Sequence, residues 1–264
     1  KISVANKDEF QMIKCFFYQS KYLQFVDENA QTKILNNLRT DINRVSVPSK
    51  AILNLVYAKC LNDYYTRNNY KIRRRTNTVV LNEDFLTWTE NNFTDQINKA
   101  LKESLENETN LKNTSLSKYE SIFDYQTVEK FKTLNLLNYV IAENIVIYTQ
   151  KLHQWEIQKS DFIPYKKDLL GKSADFLNLN FEFVTNENLK LLLKLYQKQE
   201  ANSSDIETLW NRIQFCKQYL IDSDEEYIRA LIQLQKITND VLLIQKIQLE
   251  KASYLSANAS KVNH

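Results

Sequence analysis

The stretch 71–88, "KIRRRTNTVVLNEDFLTW", decides how the N-terminal part of the chain is read. Ahead of it lies a long segment with apolar residues three and four apart. Within it come three arginines in a row, a short β-branched run, and Asn82-Glu83-Asp84 before Phe85. Apolar residues at helical spacing mark an amphipathic helix. Cations suit a helix C-terminus, where unpaired carbonyls concentrate negative charge. Ile52, Val56, Cys60, Leu61, Tyr64 and Tyr65 therefore define a helix over 49–72 that ends at Arg73–Arg75. "TNTVVL" is then an extended piece, and 81–93 a short helix with Asn82 as N-cap and Glu83 and Asp84 in its first turn. Upstream, "AQTKILNNLRTDI" (30–42) carries a narrow stripe of Ile34, Leu35 and Leu38. "NRVSVPSK" (43–50) is extended, with Ser46 an N-cap and Pro48 in the first turn of the long helix.

Composition fixes the fold class. The 264 residues include one Gly and two Pro, too few for the hairpins and tight turns that a sheet protein needs. The chain is expected to be all-α. Hydrophobic residues at 43% and charged residues at 25% give it a globular core. A single glycine, Gly171, excludes glycine-rich phosphate loops, the dinucleotide fingerprint and the nucleophile elbow. Two histidines, His153 and His264, and three widely spaced cysteines, Cys15, Cys60 and Cys216, supply no metal-ligand spacing. The cysteines read as reduced core thiols, and His153 as a half-buried surface residue. Nothing marks a pair of carboxylates for acid–base work, so the expectation is a protein that is not an enzyme and takes no cofactor or metal. No run of 18 apolar residues exists, so no membrane span is expected. A net charge of +3 does not by itself imply nucleic acid.

The order short helix, extended loop, long helix, extended loop, short helix over 30–93 resembles the histone fold. The first loop, Asn43-Arg44-Val45-Ser46, the length of the helix 49–72, and the arginines followed by "TVVLNED" carry the likeness. Related proteins are subunits of transcription and chromatin complexes, among them TBP-associated and RNA polymerase I upstream-activating assemblies. The resemblance implies a partner chain of the same fold that covers the apolar side of the long helix. Ile52, Val56, Cys60, Tyr64, Leu81, Phe85 and Trp88 would form that interface. It implies that Arg44, Arg73, Arg74 and Arg75 touch DNA phosphates or the minor groove, and that a loop arginine pairs with Asp84. Read from the residues alone, the same arginines are equally a solvated helix end with intramolecular ion pairs.

The domain reading follows: a helical module over 1–98 containing the histone-fold-like segment 30–93, a polar linker over 99–123, and a helical bundle or long-helix scaffold over 124–264. In the last, one helix spans Tyr125 to Lys159, and others cover 187–200, 205–221 and 224–255, the last bearing a seam of Leu231, Leu234, Ile237, Val241 and Ile244. "LNLNFEFVT" (177–185) alternates apolar and polar residues and reads as one isolated strand. The function these features imply is a nuclear, non-enzymatic subunit of a multiprotein transcription or chromatin complex that contributes to DNA binding. The alternative is a structural helical subunit of a kinetochore or vesicle-tethering complex without DNA binding. A lipid-binding module would need one basic amphipathic face, whereas charge is mixed on every helix.

Overall fold

The structure, a computed structural model, describes residues 8–75, 84–119, 122, 135–203 and 205–262, leaving out the side chains of 154 and 258–262. Among these residues the fold is all-α, with no strand. The chain forms two compact units, Lys1–Ile147 and Tyr148–His264.

In the first unit α1 (Glu9–Val26), α2 (Ala30–Ile42), α4 (Glu90–Ser104) and α5 (Glu108–Lys112) pack on a 27-residue α3 (Val47–Arg73). Ser46 and Pro48 open α3 as the sequence indicates, but the Ser46 hydroxyl does not cap its own helix. The Glu9 carboxylate of α1 does: it accepts from Ser46 N (2.6 Å) and Ser46 Oγ (2.7 Å), placing negative charge at the positive end of α3. Ala51, Ile52, Leu53, Asn54 and Leu55 are consecutive and all buried, as are Tyr57, Ala58 and Leu61. Five successive buried positions cover every direction around a helix, so the first half of α3 is enclosed by its own chain.

The expected helix over 81–93 takes a different form. Phe85–Thr87 is a 3-10 turn, Asp84 accepting from Leu86 N, and the true helix α4 starts at Glu90. Thr89 and Asn92 make a reciprocal capping box there, which sets the N-cap seven residues past the expected Asn82. Asn82 and Leu81 lie outside the described residues, as does the "TVVL" piece. The polar linker expected from 99 is also corrected. Phe93, Ile97, Ala100, Leu101 and Ser104 form a buried stripe on α4, and Leu111 and Leu116 are buried beyond it. Sparse apolar residues at the right spacing suffice to seat this asparagine-rich segment on α3.

α6 (Leu136–Gln150) straddles the boundary between the units and stops short of the expected Lys159. His153 and Trp155 stack beyond its end, both exposed. In the second unit short helices α7 (Lys166–Leu170) and α8 (Ser173–Leu177) lead into α9 (Glu187–Asn202), α10 (Ile206–Lys217), α11 (Asp224–Ile237) and α12 (Val241–Val262). Each of the last four packs on its neighbour in sequence, the arrangement of helical-repeat proteins. The expected strand at 177–185 is absent. Phe181 and Val184 turn into the core, while Gln197 of α9 donates to the carbonyls of Phe176 (2.8 Å) and Leu179 (2.9 Å). A side-chain amide thus takes the backbone acceptors that a β partner would have taken. The expected helix 224–255 is broken at Thr238–Asp240, where Asp240 caps the next helix through Leu242 N (2.9 Å) and Leu243 N (3.2 Å). The proposed seam is lost with it: Leu231 and Leu234 are buried, but Ile237 and Val241 are exposed.

Candidate interaction surfaces

The residues singled out for a partner interface lie inside the first unit or at its edge. Ile52, Phe85 and Trp88 are buried in their own core, and Val56, Cys60 and Tyr64 are half-buried. Tyr64, Phe85, Trp88 and Phe93 form one aromatic cluster. Tyr64 meets Phe85 edge-on at 5.1 Å and stacks on Phe93 at 5.7 Å, and Trp88 meets Phe93 edge-on at 5.4 Å. What the sequence presents as a face for a second chain is therefore the joint between α3 and α4. Burial pushes the Cys60 thiol up to about 11.

The three arginines at the end of α3 are occupied locally. Arg73 Nε meets Glu90 Oε1 at 3.3 Å, and Glu90 also accepts from the Tyr65 hydroxyl. Burial first, and then that Glu90 carboxylate, raise the Tyr65 pKa above its ordinary value. Arg74 lies over the Tyr70 ring at 4.0 Å. Arg75 Nη1 donates to Trp88 O at 2.6 Å, locking the aromatic cluster to the helix end. Arg44 sits at the other end of α3, pairing with Asp41 at 3.4 Å beside a shallow groove lined by Asn36, Arg39, Thr40 and Asn43. Desolvation raises the Asp41 pKa, with Arg44 pulling the other way. A helix of 27 residues spans about 40 Å at 1.5 Å per residue. Arg44 and Arg73–Arg75 are thus two separate basic ends on one chain and not a single patch.

A buried charged centre in the second unit was not singled out from the sequence. Arg212 of α10 is fully buried and meets Glu200 Oε1 at 2.7 Å. It also donates to the carbonyls of Leu169 and Gly171, the latter at 2.9 Å, with its guanidinium over the Phe176 ring at 4.5 Å. With four of its five N–H donors bonded, this guanidinium joins α7, α8, α9 and α10. The signal was legible: Arg212 shares a helix face with Phe215 and Cys216, at spacings of three and four, where an apolar residue is expected. Among the described residues no group of three or more His, Cys, Asp or Glu is placed to hold a metal, and no helix is long and apolar enough to cross a membrane.

Two helices carry exposed apolar faces. On α12, Leu243 and Ile247 face α11, while Val241 (65% exposed), Leu242 (69%) and Leu249 (70%) face outward. On α1, Ile13 and Phe16 are buried, while Tyr18, Tyr22, Phe25 and Val26 are exposed. No protein-family model, no curated protein and no solved structure matches this chain.

Proposed function

We infer that the protein is a non-enzymatic, helical scaffold subunit of a multiprotein assembly. The outward apolar face of α12 carries this reading. The side of α12 turned away from Leu243 and Ile247 is exposed among the described residues. Here that side bears Val241, Leu242, Leu249 and Leu255. Several large apolar side chains exposed on one side of a helix are the kind of surface that meets another protein. The test is co-purification of the tagged chain from native extract, with its partners identified by mass. Leu242→Asp with Leu249→Asp is expected to strip the co-purifying subunits while the helical circular dichroism is unchanged. Retention of the same subunits would sink the reading.

The histone-fold resemblance makes that assembly a nuclear transcription or chromatin complex, with DNA contacted by Arg44 and Arg73–Arg75. The order of short α2 and long α3, with a basic residue near each end of α3, supports this version. The enclosure of Ile52, Phe85 and Trp88 by their own chain weighs against a partner that must cover α3. The kinetochore or tether alternative needs no such partner. Salt separates the two: a DNA-binding subunit loses affinity steeply as salt rises, and further with Arg44→Ala plus Arg74→Ala, whereas a tether binds no DNA.

A further inference from the structure

The outer side of α1 repeats every three and four residues. Gln11, Cys15, Tyr18, Tyr22 and Phe25 are all exposed and fall at successive spacings of four, three, four and three. That is the seam spacing of a helix that packs lengthwise against another helix. Tyr18, Gln19, Tyr22 and Leu23 line a shallow, open apolar depression along it. The inner side of the same helix, through Ile13 and Phe16, is already packed, so α1 is held in place with its seam outward.

Charge identifies what fits there. Lys14 and Lys21 are seven residues apart and flank the seam on one side, with Glu28 a further seven along, just past the end of the helix. No acid lies three or four residues from either lysine, and among the described residues neither lysine is in an ion pair. The flanks of a helix pair choose the partner by opposite charge. A second copy of this chain does not supply it: with the seams aligned, Lys21 lies against Val26 of a parallel copy or against Lys14 of an antiparallel one. The geometry points to the outer face of α1 as the docking site for one amphipathic helix of a partner protein, its apolar stripe seated along Tyr18, Tyr22 and Phe25, its acidic flank against Lys14 and Lys21.

This rests on the scaffold reading but uses a different face in the other unit, so the two are tested separately. The probe is a synthetic peptide of about three heptads with Leu at the seam positions and Glu on the flanks, compared with the same peptide bearing Lys on the flanks. Fluorescence anisotropy on the full chain is expected to give affinity at least roughly tenfold tighter for the Glu peptide. Lys14→Glu with Lys21→Glu reverses that preference. Tyr22→Ala with Phe25→Ala, both solvent-facing, removes binding of either peptide. Equal affinity of the native chain for the two peptides, or binding that survives Tyr22→Ala with Phe25→Ala, overturns the assignment. So does a dimer of the chain in sedimentation that Tyr22→Glu splits, because the face then belongs to a second copy. Loss of subunits from the α12 variants together with failure of peptide binding sinks the α1 site alone.

Discussion

Arg212 stands at a core position of α10, and its surroundings explain how a charge survives there. Glu200 neutralises it, two backbone carbonyls take two further donors, and Phe176 lies under its plane. Removing one member of such a pair leaves the other charge buried alone, at a cost of about 3–5 kcal/mol. Arg212→Ala is therefore expected to lower the free energy of unfolding, read from urea denaturation, by that order. A variant as stable as the native chain would mean that Glu200 finds water. Gly171 belongs to the same centre: a Cβ there would run into the Lys167 carbonyl, so the only glycine of the chain is needed for close approach. The cysteines divide by burial. Cys15 is exposed on α1, correcting the expectation of a core thiol, while Cys216 is buried and its thiol is pushed up to about 12 by desolvation. At pH 8 a thiol reagent is expected to modify Cys15 rapidly, and Cys216 only after unfolding. Rapid labelling of Cys216 in the folded chain would contradict its burial.

At the scale of elements, the ends of helices were harder to read than their middles. α2 runs over Ala30–Ile42 as its apolar stripe indicates, because Ile34, Leu35 and Leu38 are spaced for one buried side. The start of α4 was misplaced because Asn82-Glu83-Asp84 and Thr89-Glu90 are both good start signals, and local sequence does not rank them. The capping box at Thr89 is the one on which the buried stripe of α4 falls in register with α3. Thr89→Ala is expected to destabilise the first unit by about 1 kcal/mol, the usual cost of a lost N-cap, read from thermal unfolding. An unchanged Tm would shift the start of α4 elsewhere. Leu177–Thr185 shows the converse failure. Its alternation is that of a strand, yet no strand lies beside it among the described residues, and the Gln197 amide holds it as an irregular turn.

Across the whole molecule, the buried thiols and phenols share one sign of pH dependence. Burial raises Cys60 to about 11, and Cys216, Tyr57 and Tyr148 each to about 12. The unfolded chain ionises these groups from about pH 9 to 10, while the folded chain holds them protonated. Their contribution is complete below pH 9 and is lost as pH rises through 11 to 12. Lys151, which burial lowers to about 8, acts in the opposite direction between pH 8 and 10.5. The urea midpoint is expected to fall between pH 8 and pH 10.5, and Cys216→Ala to make that fall shallower. A midpoint flat across that range would contradict the burial of these groups. What the sequence by itself determined is the all-α class and the position of helices with a regular apolar stripe. Glycine and proline scarcity and helical periodicity are local properties of the chain. What covers each stripe is not local. Ile52, Phe85 and Trp88 look the same in sequence whether another chain or their own closes over them. Only the packing of α1, α2 and α4 on α3 decided that, because it depends on contacts between residues far apart in the chain.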